Sequence, residues 1–297
     1  MEKEQATKFL MKPKVDFCFK ELMEDDEVRN AFLAAVLGIE VKHSIESRLL
    51  PAHLRQKDKD EKLGILDVRV LLNSREQIDI EIQVTASEYW AERTLFYLGK
   101  MFTDQLKPGE NYQKLEKCIH IGILNFIMFD DEEYYSRFHF WSDKGRKLYS
   151  DKFEIHTLEL PKLAKHDYPE TELLKWLQFI NAETEEEFEM AAEKSEYIKK
   201  AYEDLNRISA DEEKRLEYEE RERAIRDHQY FSTVYKNTGL KEGRREGRQE
   251  GRQEGIQAVV ELLQEMELEK EVICGKVQEK FQISSEEAAQ EVEKYWK

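Results

Sequence analysis

The stretch that decides the fold is ILDVRVLLNSREQIDIEIQV, residues 65–84. It is typical of two β-strands, ILDVRVLLN and QIDIEIQV, joined by a tight turn over SRE. Side chains alternate between the two faces of a strand, so the aliphatic residues of the second strand share one face and Glu81 and Gln83 share the other. A turn at Ser74–Arg75 would set Asp67 nearly opposite Gln83. The hairpin therefore predicts that Asp67, Glu81 and Gln83 converge on one polar face whose reverse is apolar.

This polar face has the chemistry of a metal site. Two carboxylates held close together repel each other unless a proton or a cation lies between them. Oxygen ligands on rigid strands suit Mg²⁺, which takes one or two carboxylates and completes its shell with water and phosphate oxygens. Such an ion activates a bound water for attack on phosphorus. The pattern alone also fits a solvated sheet face, and we expect Asp79 on the same face to be solvated.

The segments around the hairpin predict an α/β core over roughly residues 10–160. Apolar residues at helical spacing indicate one or two helices over 15–38, which end at Gly38, and an amphipathic helix over 87–106. An unbroken apolar run is typical of a buried strand. That run is CIHIGILNFIMF (118–129), and two further strands are expected at RFHFW (137–141) and KFEIHTLEL (152–160).

The order of these elements resembles the PD-(D/E)XK nuclease fold, and more narrowly its branch of transposases and recombination-promoting nucleases. The matching segments are KVDFCFKELM (14–23), AFLAAVLG (31–38), ILDVRV (65–70), IDIEIQV (78–84), ERTLFYLGKMFTDQLKPGENY (92–112), IHIGILNF (119–126) and EIHTLELPKL (154–163). The resemblance implies a restriction-endonuclease-like α/β core with a mixed central sheet flanked by helices, followed by a helical C-terminal extension. It also implies a Mg²⁺-dependent DNA endonuclease linked to recombination, mobile elements or phage defence.

The resemblance assigns roles to particular residues. It implies Asp67 and Glu81 as metal ligands, for Mg²⁺ or alternatively Mn²⁺ or Ca²⁺. Gln83 stands where the wider superfamily most often has lysine, and a neutral amide can only donate and accept hydrogen bonds, so we expect a slow enzyme. Lys20 lies four residues after Asp16 on one helical face, and it is a candidate for the missing catalytic cation. Asp16 is a candidate third metal ligand, unless the two form an ordinary solvated pair.

Two residues of the 87–106 helix are candidates for substrate binding. Arg93 and Tyr97 share a helical face and suit a phosphate and a base, respectively, although Tyr97 also suits a place in the core. The seven histidines show no metal-ligand spacing. Two other functions stay open. One is a catalytically degenerate nuclease fold that acts as a nucleic-acid-binding or scaffold protein, as Gln83 and the acidic surface suggest; the other is an enzyme that acts on RNA.

Charge and cysteine content limit the function and location. The net charge of −17 argues against a nucleic-acid partner at first, but residues 1–125 carry 19 Lys and Arg against 22 Asp and Glu, a net −3. A near-neutral first half can bind phosphates through a few clustered cations.

The three cysteines are far apart and odd in number, which favours reduced thiols and a cytoplasmic location. No apolar run reaches the length of a membrane span, and the first 14 residues lack the apolar middle of a secretory signal.

The sequence predicts four parts: a nuclease-like core (1–165), a charged helical extension (166–238), a repeat helix (239–257) and a small helical unit (258–297). The repeat EGRREGRQEGRQEG, residues 242–255, has a glycine at every fourth position. In a helix the glycines form one stripe, with glutamates along one edge and arginines along the other. Two parallel copies packed stripe to stripe would set each glutamate edge against an arginine edge, which predicts a homodimer. A charged, solvent-exposed linker is the alternative.

Overall fold

The computed structural model describes residues 8–40, 45–54 and 65–296. Within these residues six strands form one mixed sheet in the order β1-β2-β3-β4-β6-β5. β1, β2 and β3 are antiparallel neighbours, β3, β4 and β6 run parallel, and β5 returns antiparallel to β6. The strands are β1 (Ser47–Leu50), β2 (Val68–Leu72), β3 (Glu76–Gln83), β4 (Cys118–Leu124), β5 (Tyr135–Trp141) and β6 (Leu148–Glu159). The expected mixed central sheet is confirmed.

Helices flank this sheet and form the C-terminal part of the chain. They are α1 (Asp16–Met23), α2 (Asp26–Leu37), α3 (Trp90–Thr103), α4 (Glu172–Asn181), α5 (Glu185–Ala192), α6 (Glu196–Ala210), α7 (Glu212–Glu265), α8 (Lys270–Phe281) and α9 (Ser285–Tyr295). Asp25 caps α2 by accepting from two backbone N–H groups, and Gly38 ends it in the left-handed conformation, φ 69°. The expected stop at Gly38 is therefore confirmed.

The register of the β2–β3 hairpin differs from the expected one. Val68 pairs with Ile80 across the hairpin. One residue further along, the same register sets Asp67 opposite Glu81, so the expected pairing of Asp67 with Gln83 is wrong. Directly opposite residues share a face of the sheet, and the correction therefore brings the two predicted carboxylates closer together.

The hairpin loop explains this shift. Asn73 and Ser74 both have left-handed backbone conformations, with φ of 48° and 61°. The Arg75 N–H donates to the Leu72 carbonyl at 2.9 Å, which closes a three-residue loop over residues 73–75. The loop therefore lies closer to the N-terminus than the SRE turn expected from sequence.

The two faces of the sheet are covered differently. The isoleucines of β3 point into the main apolar core together with side chains of α1, α2, α4, α5 and α6. The helices after residue 165 thus contribute to the same core as the sheet. The domain boundary expected at residue 165 stays a prediction. The chain separates into two compact units, Met1–Arg226 and Asp227–Lys297.

On the opposite face, α3 packs against β4. Leu98 and Met101 of α3 are buried in a smaller apolar cluster that includes Cys118 of β4. At the start of α3, Trp90 lies directly over Gly122, where an added Cβ would come within 2.7 Å of the indole. Gly122 is therefore required for this close approach of helix and strand.

The second unit has its own small core. Apolar side chains from the end of α7 pack with those of α8 and α9, namely Ile256, Val260, Ile273, Val277, Ala288 and Val292. Ser284 and Glu287 form a capping box at the start of α9. The glycine repeat lies within α7. Across the described ranges, no helix is long and apolar enough to cross a membrane.

Candidate active site

The two predicted carboxylates lie on neighbouring strands, on the face of the sheet that carries α3. Asp67 immediately precedes β2, and its Oδ2 accepts from the Ile82 N–H of β3 at 3.2 Å. Its side chain is 24% exposed, whereas the side chain of Glu81, near the end of β3, is 6% exposed. One carboxylate is thus open to solvent, and the other lies behind it in a buried position.

Lys20 reaches this site from α1. Its Nζ lies 3.0 Å from Oδ1 of Asp67 and 3.8 Å from Oδ2 of Asp16. The i,i+4 partner is therefore the more distant of the two, and the ammonium group contacts a residue 47 positions away in the chain. The structure brings Lys20 and Asp67 together, as a catalytic role for Lys20 requires.

Arg93 of α3 connects the two other predicted residues of β3. Its Nη2 donates to Oε2 of Glu81 at 3.0 Å and to Oε1 of Gln83 at 2.7 Å. Gln83 Nε2 donates in turn to the Thr85 carbonyl at 2.8 Å, so both ends of the amide are held. Gln83 therefore positions Arg93, a function that a lysine could not perform because it has no acceptor.

Asp16 has a partner that the sequence did not reveal. Arg221, in the first part of α7, donates from Nε to both carboxylate oxygens of Asp16 at 2.8 Å, and its Nη2 lies 2.6 Å from Oδ2. This two-oxygen contact is the strong geometry of an arginine–carboxylate pair, and it raises the pKa of Arg221. It opposes a metal-ligand role for Asp16, which stays a prediction. Nothing in the local sequence around Arg221 connects it to a residue 205 positions earlier.

The electrostatics of the site follow from burial. Burial raises the pKa of Glu81 to about 7; the nearby Asp79 carboxyl adds to the shift and Arg93 opposes it. Tyr97 is partly buried and packs against the α3–β4 cluster, as its alternative interpretation proposed. Burial raises the pKa of its hydroxyl, and the charge of Glu81 adds to the shift. A base-stacking role for Tyr97 stays a prediction.

The expectation that Asp79 is solvated was wrong. Asp79 is fully buried, and its Oδ2 lies 2.8 Å from Nδ1 of His120 in β4. The other ring nitrogen of His120 is 3.3 Å from Oγ1 of Thr94 in α3. Burial raises the pKa of Asp79 well above its ordinary value and lowers that of His120 to about 4, so the imidazole is neutral at pH 7. The pair connects β3, β4 and α3 on the same face of β3 as Glu81.

These residues form a limited but suitable set of metal donors. Within the described part of the chain, no group of three or more His, Cys, Asp or Glu side chains has the arrangement of a metal site. Asp67 and Glu81 nevertheless supply two carboxylates on one face, and Mg²⁺ takes one or two carboxylates from a protein and completes its shell with water and phosphate oxygens. Lys20 and Arg93 now supply the positive charge that these oxygens require. The donor set therefore fits a divalent cation that is held in part by its substrate.

A mixed sheet with two carboxylates across neighbouring strands is typical of PD-(D/E)XK nucleases, and in this chain Lys20 of α1 and Arg93 of α3 supply the basic groups beside them. The chain belongs to that family: a family model described as PD-(D/E)XK nuclease family transposase matches residues 13–233, more than half of its length. The expected family resemblance is confirmed, and with it a function related to nucleases and transposases. Members of this class typically use divalent metals, and their substrate is DNA. No curated protein and no solved structure matches the chain.

Proposed function

We propose that the protein is a divalent-metal-dependent DNA endonuclease that uses Mg²⁺. The observation that carries the proposal is the cross-strand position of Asp67 and Glu81, with Lys20 3.0 Å from the first and Arg93 3.0 Å from the second. A bound divalent ion would activate water and neutralise charge at the scissile phosphate. The family connects such an activity with recombination, mobile elements or phage defence.

In this proposal the basic side chains of the site have separate tasks. Lys20 takes the place of the lysine that many relatives carry at the position of Gln83, and its ammonium group orients the attacking water or stabilises the developing negative charge. Arg93, held by Gln83, contacts a phosphate once the metal satisfies Glu81. Because Lys20 comes from a separate helix and must leave Asp67 to act, we expect turnover to be slow.

One observation favours the alternative of a catalytically degenerate, nucleic-acid-binding or scaffold protein. Each acidic side chain of the site already has a basic partner: Asp67 has Lys20, Glu81 has Arg93 and Asp16 has Arg221. In a degenerate site these ion pairs would replace the metal permanently. The two functions differ in one measurable property, because only the enzyme needs to exchange these contacts for a cation.

Calorimetric titration with Mg²⁺ separates the two functions. We expect the wild type to bind Mg²⁺, Asp67→Ala to lose this binding, and Asp167→Ala to retain it. Asp167 is an exposed carboxylate outside the site and serves as the matched control. If the wild type takes up neither Mg²⁺ nor Mn²⁺, the scaffold function is the better account. The same titration with Ca²⁺ tests whether a non-catalytic ion occupies the site.

We also propose that the chain forms a homodimer through the repeat helix. Gly239, Gly243, Gly247 and Gly251 continue an i,i+4 row that begins with the exposed Phe231 and Tyr235. Apart from the adjacent residues and the backbone of the same helix, no atom of the described residues lies within 4 Å of a Cβ built on Gly243, Gly247 or Gly251. An exposed aromatic stripe that becomes a glycine stripe supports close packing against a second copy. A twofold dimer suits an enzyme that must cut both strands of a duplex.

Sedimentation velocity tests the dimer. Gly247→Leu places a large side chain on the stripe and is expected to shift the protein to monomer. Gln249→Leu adds the same side chain about 200° around the helix and leaves the association unchanged. Equal sedimentation of both variants and the wild type would show that the repeat is a solvent-exposed linker. The three cysteines are unpaired, which supports the expected cytoplasmic location.

A further inference from the structure

The β5–β6 hairpin extends beyond the rest of the sheet. β4 pairs with β6 only from Phe153 onward, through the pair Cys118–Phe153. Before that point the hairpin continues as two strands alone, with Phe140 opposite Ser150 and Trp141 opposite Leu148. We call residues 139–152 the ribbon. A two-stranded ribbon is marginally stable by itself, so a long exposed one calls for a reason beyond folding.

The ribbon is basic in an acidic protein. The ribbon, residues 139–152, contains four Lys and Arg against two Asp, a net charge of +2, whereas the whole chain has −17. Lys144, Arg146 and Lys147 at its tip are exposed. None of these three forms an ion pair with any residue that the structure describes. Cations left without a partner in a chain rich in carboxylates indicate a polyanionic ligand.

Large aromatic side chains are exposed on the same ribbon. Phe140 and Trp141 are each 48% exposed and Tyr149 is 89% exposed. Phe140 has a partial structural role, because its ring lies 5.6 Å from that of Phe153. No such ring contact holds Tyr149 among the described residues. Exposed aromatic side chains beside cations suit a duplex surface, because tyrosine side chains hydrogen-bond to phosphate oxygens and apolar side chains contact thymine methyl groups in the major groove.

The tip of the ribbon is held in one conformation. The Ser142 N–H donates to the Lys147 carbonyl at 2.9 Å, and the Lys147 N–H donates to Ser142 Oγ at 3.0 Å. Gly145 and Arg146 both have left-handed conformations, with φ of 80° and 48°. These contacts fix the backbone that carries the cations before a ligand binds, and such preorganisation lowers the entropic cost of binding.

The position of the ribbon relative to the site suits duplex DNA. Glu81 pairs with Gly122, and Gly122 pairs with Thr157 of β6, so Thr157 marks the level of the site on β6. The strand from Thr157 back to Leu148 covers nine residue steps, or roughly 30 Å, and the two intervening strand spacings add about 10 Å sideways. The tip is therefore roughly 30 Å from the site, close to one helical turn of B-DNA, about 34 Å.

We propose that the ribbon docks in the major groove of duplex DNA about one helical turn from the phosphate at the candidate site. The major groove admits a two-stranded β-ribbon, and the tip cations meet its phosphate walls. The location relative to the cut rests on the proposed function, but the binding itself does not. The ribbon thus serves as the basic DNA-recognition element of a chain whose net charge is strongly negative.

Binding without metal tests this proposal independently of cleavage. The full chain is titrated in EDTA against a fluorescein-labelled 30-base-pair duplex, with anisotropy as the readout, at several salt concentrations. The test variant is Lys144→Gln/Arg146→Gln/Lys147→Gln. The matched control is Lys165→Gln/Lys199→Gln/Lys276→Gln, which removes the same charge from exposed positions elsewhere. Tyr149→Ala probes the ribbon without a change of charge, and circular dichroism verifies that all variants are folded.

We expect the ribbon triple variant to bind the duplex at least tenfold more weakly than the control triple variant. Its slope of log K against log salt concentration is expected to fall by about 2 to 3, because each lost phosphate contact removes about 0.9. Tyr149→Ala is expected to lose about fivefold in affinity with an unchanged slope, because it removes one uncharged contact to the DNA backbone. Equal binding by both triple variants, no binding by the wild type, or tighter binding of a single-stranded RNA of equal length each overturns the proposal. If the wild type nicks DNA but the two triple variants bind the duplex equally, the proposed nuclease function stands. Only the proposed DNA-binding role of the ribbon is then refuted.

Discussion

The buried position of Glu81 predicts that the residue most needed for activity also destabilises the protein. In the folded chain its pKa is raised from 4.5 to about 7, mainly by burial. A carboxyl whose pKa is raised on folding holds its proton more tightly in the folded state. Stability therefore falls as pH rises from about 4.5 through 7, and the loss is complete above that range. At about 1.36 kcal/mol per pKa unit, the cost at pH 8 is roughly 3 kcal/mol.

Glu81→Gln removes this titration and keeps the shape of the side chain, including an oxygen that accepts from Arg93. We expect the variant to be more stable than the wild type by roughly 3 kcal/mol at pH 8, and nearly equal to it at pH 4.5. The assay is urea unfolding in EDTA, followed by tryptophan fluorescence at half-unit steps of pH. Glu88→Gln, an exposed carboxylate nearby, is the matched control and should show no such gain.

Two results would refute this reasoning. In the first, Glu81→Gln is less stable than the wild type at pH 8. In the second, the stability difference is the same at both ends of the pH range. A further check uses Mg²⁺: a ligand that binds the folded state raises its stability by mass action, so Mg²⁺ should stabilise the wild type and not the variant.

Three further outcomes follow from particular contacts. Gly122→Ala should lower the free energy of unfolding by about 1–3 kcal/mol in urea, because its Cβ would meet the Trp90 ring at 2.7 Å; an unchanged value would show that α3 moves freely. Gln83→Lys, which restores the commoner family residue, should lower plasmid nicking rather than raise it, because Arg93 loses its acceptor and faces a second cation; a faster enzyme would contradict the role given to Gln83. Ser284→Ala should cost about 1 kcal/mol in the thermal unfolding of the full chain, since it removes the α9 cap, and no shift would mean that the cap is replaced by water.

The sequence predicted the elements of the core because their signals are local. Alternation along β3 identified the face of Glu81, and an unbroken apolar run identified β4, whose seven residues are all buried. The hairpin register was wrong because it depended on two left-handed residues, Asn73 and Ser74, that no strong turn motif marks. Because side chains alternate with a period of two, a register shift of two residues leaves every side chain on the same face. The alternation pattern therefore cannot detect such a shift.

Long-range contacts set the limits of the prediction for the site. The burial of Asp79 depends on His120, which lies 41 positions away and on a different strand. Asp16 looked like a partner of Lys20, yet its closest contacts come from Arg221, 205 positions away in a helix dominated by charge. Such contacts follow from the packing of α1 and α7 and leave no spacing in the sequence. Lys20 was identified because a missing cation gave a chemical reason to search for one.

The most direct test of the central claim is nicking of supercoiled plasmid in Mg²⁺, with Asp67→Ala, Glu81→Ala and the control Asp167→Ala beside the wild type. If the carboxylate pair is the catalytic site, the wild type and Asp167→Ala nick the plasmid, both site variants are inactive, and EDTA stops the reaction. Nicking by all four proteins at the same rate would contradict the claim. So would a wild type that binds Mg²⁺ and duplex DNA yet leaves the plasmid intact.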